Sequence, residues 1–210
     1  FVKYIDMPLQ HINDEILYTM RRKTTRRQIE TLLEKLRKWI PGISIRTTMI
    51  SGFPGETAAQ HQELVQFVRD FGFDCLGVFE YSPEAETPAG RLCKTAAVNP
   101  ETVHVRKQEI MLAQQETVFR KNNAMIRRKL PVLIDSADRK RKTAQGRHAG
   151  QAPDIDGMVL LNHCQAVPGE LIEATVEDWK GYDLIARPNN VRLRTAGLQS
   201  DISLPLLQTL

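Results

Sequence analysis

The chain has 210 residues, 41% of them hydrophobic and 26% charged, with three cysteines and a formal net charge of +4. That is enough for one domain with a good core, or for a part-domain plus a small one. No apolar run approaches the length of a membrane span and no signal-peptide pattern opens the sequence, so a cytoplasmic location with no membrane partner is expected. Cys75, Cys93 and Cys164 lie far apart, in no C-x-x-C or other metal-ligand spacing; they read as ordinary thiols, and no metal site is expected. The basic excess is weak as a sign of nucleic-acid binding, and its distribution says more. Residues 1–128 carry 19 Lys+Arg against 15 Asp+Glu, whereas residues 129–188 carry 8 against 9.

"KYIDMPLQ" reads as a buried strand running out to polar residues. Asn13 then caps a short helix over residues 14 to about 22. Thr25 and Gln28 form a capping box, and Ile29, Leu32, Leu33, Leu36 and Ile40 share one face of the helix it opens, until Pro41-Gly42 stops it. Residues 43–50, "ISIRTTMI", read as a strand with Ser44, Arg46 and Thr48 on one face and Ile43, Ile45, Thr47 and Met49 on the other. After "SGFPGE", Thr57 and Gln60 make a second capping box; Gly72 ends that helix and "DCLGVFEY" is a third strand. This strand–helix alternation predicts parallel α/β units, whose strands present their C-terminal ends to a ligand.

"SPEAETPAGRL" reads as a loop, and Asn99-Pro100 starts a long, mostly polar helix to about residue 128 whose charge runs read as a solvated face. Beyond it, short β-type runs broken by Gly, Asp and Pro predict about five strands in a small antiparallel barrel. The expected divisions are residues 1–98 as an α/β part-barrel, 99–128 as a connecting helix, 129–188 as the small β-barrel, and 189–210 as a tail of weak periodicity, a candidate for disorder.

The turn "SGFPGE" lacks the lysine of a phosphate-binding loop and the spacing of a dinucleotide loop, and Glu56 would repel a phosphate there. A structural turn is the plain reading. Arg46 stands in an otherwise buried-looking strand, where a charge needs a partner. Either it meets an internal acid or it faces a cavity holding an anionic ligand.

"YIDMPLQH", "IRTTMISGFPGET" and "FDCLGVFEYSPEAETPA" together resemble the radical S-adenosylmethionine methylthiotransferases, and the resemblance covers about residues 1–188. It implies the C-terminal part of an incomplete radical-SAM α/β barrel followed by a TRAM domain, a small five-stranded, OB-like β-barrel. Of the family's two branches, "EYSPEAETPA" and "QAPDIDGMVLLN" resemble the RimO-type branch, which methylthiolates the β-carbon of an aspartate in small-subunit ribosomal protein S-twelve. The other branch modifies adenosine in tRNA. The near-neutral second domain suits a basic protein partner, or the ribosome, better than tRNA; the basic run Arg139 to Lys142 is the exception, a solvated loop or an RNA contact.

The resemblance also implies cofactors: S-adenosylmethionine and two 4Fe–4S clusters, one bound by C-x-x-x-C-x-x-C. None of those six cysteines is in this sequence, which opens on Phe1. The chain is therefore expected to be a C-terminal portion of the enzyme, inactive alone and with no catalytic residue of its own. The implied cofactor wall comprises Gln10, Arg46, Thr48, Gly52, Gly55 and Glu56: Gln10 toward the ribose or methionine part, Arg46 toward the methionine carboxylate, the glycines under the adenine, and Glu56 orienting the turn. Asp154, Asp156, Trp179 and Tyr182 are the expected substrate-docking residues, Trp179 and Tyr182 having core packing as the competing role, while His11 is expected at the surface. A cluster-free binding module is the reading from another class.

Overall fold

The computed structural model describes residues 2–192. A first layer is a parallel sheet of β1 (Tyr4–Asp6), β2 (Ser44–Ser51) and β3 (Cys75–Glu80), in that spatial order. Helices α1 (Asp14–Thr19), α2 (Arg26–Trp39) and α3 (Ala58–Phe71) connect the strands. Both capping boxes form: Thr25 with Gln28 opens α2 and Thr57 with Gln60 opens α3. Asn13 accepts from the N–H groups of Glu15 and Ile16 to cap α1, and Gly72, at φ 67°, ends α3 in the left-handed conformation.

The alternation of β2 sorts the sheet's two faces. Ile45, Thr47 and Met49 are fully buried, and with Leu76 and Val78 of β3 they pack under the helices in one core. Register places Tyr4, Asp6, Ser44, Arg46, Thr48, Ile50, Cys75, Gly77 and Phe79 on the opposite face, where Phe79 is 63% exposed.

The stretch expected to be a loop contains α4 (Pro88–Ala96), capped by Thr87 with Pro88 at its first position. The proline-rich composition hid a helix that proline opens. Helix α5 (Pro100–Met125) is less solvated than its charge runs suggest. It buries Val103, Arg106, Ile110, Ala113, Gln114, Thr117 and Val118 against the sheet layer.

The second layer bears out the small β-barrel. Strands β4 (Lys129–Asp138), β5 (Thr143–Arg147), β6 (Val159–Asn162), β7 (Leu171–Lys180) and β8 (Asp183–Arg192) close in the order β4-β5-β6-β8-β7 around a separate core that includes Val132, Ile134, Val159, Leu161 and Val176. The β6–β8 pair is parallel and the other pairs are antiparallel. Strand β8 continues to Arg192, past the expected start of a tail, because its far end still pairs with β7 at Ile172. The rest of the expected tail, residues 193–210, lies outside the described residues.

Candidate functional site

The C-terminal ends of the three strands meet at the GFPGE turn. After β1 the chain returns to pair with β2: Gln10 N–H donates to Thr48 O at 2.8 Å, and Ile50 N–H donates to Gln10 O at 2.8 Å. Gln10 holds φ 72°, unusual for a residue with a Cβ. Such strain persists where the surroundings impose it, often at binding sites. Its side chain is half-buried.

The turn itself is braced from beneath. Glu56 is 4% exposed, and its Oε2 accepts from Gly52 N–H at 2.8 Å and from Arg106 Nη1 at 2.9 Å. Its Oε1 meets His11 Nε2 at 3.2 Å. Asn13 N–H donates to His11 Nδ1 at 3.0 Å, so the proton sits on Nε2 and points at the carboxylate. Burial pushes the Glu56 carboxyl up, but His11, Gly52 N–H and Arg106 outweigh it and hold the group below the usual carboxylate range. Arg106 also donates to Glu56 O at 2.9 Å, pinning the turn to α5.

This corrects the expectation for His11, which is fully buried rather than at the surface. A histidine can sit there because both ring nitrogens are engaged. Sequence reading missed His11 and Arg106 as a pair, since their common partner Glu56 is remote from both in the chain.

Gly52 and Gly55 differ. At Gly52, φ is 75° and a Cβ would stand 2.3 Å from Val103 Cγ2, so the missing side chain makes room for α5. Gly55, at φ 84°, has nothing within 4 Å on that side and is exposed. Of the two, only Gly55 leaves open space for a ligand.

The other expected wall residues divide as well. Thr48 is half-buried on the sheet's open face, the face shared by Ile50 and Phe79 near the same end. Tyr81 packs edge-on against Phe53, with ring centroids 5.3 Å apart. Arg46 lies nearer the opposite end, in register with Cys75, the first residue of β3. Its Nε donates to Asp6 Oδ2 at 3.2 Å and its Nη1 to Asp156 Oδ1 at 3.0 Å. Of the two partners the sequence left open for Arg46, the internal acid is the one it meets, and it does not join Gln10 and the turn.

The four expected docking residues do not form one surface. Asp154 is exposed, with φ 66°. Asp156 is withdrawn: its side chain is 1% exposed and faces Arg46, so it is no surface contact. Trp179 is half-buried against the β-barrel core, its ring 4.7 Å from that of Phe119 on α5. Tyr182 is 38% exposed at the rim of a cavity of about 1120 Å³ between α5, the sheet and the barrel.

Among the described residues no group of three or more His, Cys, Asp or Glu side chains is placed to hold a metal ion. Cys75 is half-buried on the sheet, Cys93 is on α4 and Cys164 is buried in the barrel core, so the three do not converge and do not fit an iron–sulfur cluster. The sheet edge near Gln10, by contrast, offers residue types that one side of a flat, partly polar group would meet. Phe79 and Ile50 offer apolar surface, Gln10 and Thr48 offer hydrogen bonds, and a rigid turn stands behind them. No described helix is long and apolar enough to cross a membrane.

Residues 126–188 match the TRAM domain family. The chain is 44% identical over 185 residues to "Ribosomal protein uS12 methylthiotransferase RimO" of Bdellovibrio bacteriovorus, covering 88% of this chain and 40% of that protein. It is 42% identical to the protein of the same name from Anaeromyxobacter sp. (strain Fw109-5), covering 88% and 39%, and 40% identical to that of Lachnoclostridium phytofermentans, covering 87% and 41%. The solved structure of Escherichia coli coproporphyrinogen III oxidase (HemN), a radical SAM enzyme, aligns with a TM-score of 0.49 at 16% identity over 84% of this chain and 41% of that one, a likeness too loose to argue from. By its TRAM match and its RimO relatives the chain belongs to the RimO family, and it spans about two fifths of the length of the relatives it matches.

Proposed function

We propose that this chain supplies one wall of the S-adenosylmethionine site and the substrate-docking barrel of a methylthiotransferase, a cytoplasmic enzyme that replaces a hydrogen on the β-carbon of a uS12 aspartate with a methylthio group. The observation that carries this reading is identity of 38–44% over nearly nine-tenths of the chain to proteins named for that substrate. The barrel supports it: residues 129–188 carry 8 Lys+Arg against 9 Asp+Glu, a poor surface for gripping RNA phosphates.

Gln10 and Thr48 are the groups offered to the polar edge of the nucleoside, with Phe79 beneath its ring and Gly55 leaving the approach clear. Glu56, His11 and Arg106 act one step back, holding the turn rigid so that the wall is formed before the ligand arrives. Bound S-adenosylmethionine would supply the radical, and two 4Fe–4S clusters would supply the electron and the sulfur-bearing group. Their ligands belong to parts of the enzyme other than this chain's three cysteines.

The test uses the full-length protein that contains this chain, purified without oxygen and loaded with iron and sulfide. It is given S-adenosylmethionine, a reductant, and either uS12 or tRNA. Mass spectrometry should find the methylthio group on an aspartate of uS12 and none on tRNA, and Gln10→Ala should weaken S-adenosylmethionine binding several-fold. A methylthiolated adenosine would favour the second reading, tRNA, for which the exposed basic tip Arg139 to Lys142 of the β4–β5 hairpin speaks. Tight uS12 binding with no modification of either substrate would favour a binding module.

A further inference from the structure

The motif "PDID" is placed where its second acid cannot meet a substrate. Asp156 lies in the connection from β5 to β6, and groups from all three strands of the sheet converge on it. Tyr4 Oη of β1 donates to Oδ2 at 2.7 Å and Arg46 Nη1 of β2 donates to Oδ1 at 3.0 Å, while Cys75 of β3 lies beside the carboxylate, its thiol pushed up by burial and by that neighbouring charge. Ala152 N–H, from the same connection, donates to Oδ2 at 2.8 Å. Beside them Ser44 Oγ donates to Gly150 O at 3.0 Å. Tyr4, Ser44 and Cys75 are the first residues of their strands, so the connection is seated at the sheet's N-terminal end, opposite the GFPGE turn.

The barrel has a second attachment. Arg127 N–H donates to Val176 O at 2.8 Å and Val176 N–H donates to Arg128 O at 2.9 Å, while Trp179 packs on Phe119. That attachment ties the barrel to the end of α5, a single line about which it can turn. A second, separate point fixes the angle. A buried ion pair suits that task, since it adds little net stability but strongly disfavours every arrangement that leaves either charge unpaired.

We propose that Arg46 and Asp156 are a positioning pair that fixes the rotation of the five-stranded barrel on the sheet, and so sets where a docked protein substrate lies relative to the reactive edge. This rests on the function proposed above. The motif then acts through the barrel's posture and not through contact with the partner.

The test is made on the full-length enzyme with Asp156→Asn and, as a gentler change, Tyr4→Phe. Hydrogen exchange of amides in residues 148–157 and 44–46 should quicken roughly tenfold or more in Asp156→Asn, while α3 and β7 keep their protection. The KM for uS12 should rise roughly tenfold, with release of 5′-deoxyadenosine in the absence of uS12 within about twofold of wild type. Tyr4→Phe should move both readouts the same way by less, and it decides the matter if Asp156→Asn does not fold. Unchanged exchange overturns the pair as a fastening. Faster exchange with an unchanged KM overturns its role in placing substrate. If the wild-type enzyme modifies no uS12, the proposed function fails, and the exchange measurement still decides whether the pair holds the barrel.

Discussion

A single carboxylate, Glu56, organises the edge of the sheet. Replacing it with Gln leaves the buried Arg106 without its counter-charge, and breaking such a pair from one side costs about 3–5 kcal/mol. Urea unfolding at neutral pH would measure that loss. The pH dependence has a definite sign. Because the folded state holds the Glu56 pKa below its ordinary value, the group contributes its full stability above about pH 4.3 and loses it as pH falls toward the lower folded value. Glu56→Gln should therefore lose less stability than wild type across that acid window, and parallel curves would count against the bracing role. The two glycines separate packing from backbone strain. Gly55→Ala should cost about 1–2 kcal/mol for its left-handed φ alone. Gly52→Ala should cost about 1–3 kcal/mol more for the clash with Val103, and Val103→Ala should restore part of it. Little of this was legible beforehand. A proline-and-glycine turn announces itself, but a buried histidine or arginine does so only through a partner, and those of Glu56 lie 45 and 50 residues away.

Helices and strands were more legible, because their signals are local. Both capping boxes, the Asn13 and Asn99 caps and the face alternation of β2 follow from residues within a few positions of one another. Thr57→Ala should cost about 1 kcal/mol, since it removes an acceptor that the N–H of Gln60 uses, and thermal unfolding would detect it. A larger effect would mean that the start of α3 also carries strain from the turn. Helix α4 escaped notice because Pro88 and Gly90 read as breakers, although Thr87 caps the helix and accepts from Gly90 N–H at 3.0 Å. The polar surface of α5 misled for another reason: Arg106 and Gln114 are buried with hydrogen bonds to the turn and to Phe73 O, which hydropathy cannot register.

At the scale of the whole molecule, two cores meet along α5 and at the Arg46–Asp156 pair. The division into an α/β part and a β part is visible as a change of sequence character near residue 129, but the seating of one on the other is not, since Asp156 lies 110 residues from Arg46. The face of the sheet that seats the β5–β6 connection at one end is open at the other. Phe79 is exposed there, and β1 and β3 each have one strand partner among the described residues. The 210-residue chain alone should therefore self-associate as its concentration rises, and Phe79→Ser should lower the average mass seen in sedimentation. A monomer at all concentrations would mean that this face is better shielded than its exposure suggests.

Helix α5 ends two residues before the contact that starts the barrel: Ile126 caps it, and Arg127 and Arg128 already bond to Val176. On a translating ribosome the helix leaves the exit tunnel before any barrel strand does, and the sheet layer it covers leaves earlier still. Each new strand of the barrel thus meets a finished template. The closing strands β7 and β8 arrive last, and β7 finds its place in the ladder already marked by the end of the helix. Assembly of the β-barrel would then be slow only in its final closure, and moving α5 to the far side of the barrel by circular permutation should delay folding without changing the folded form.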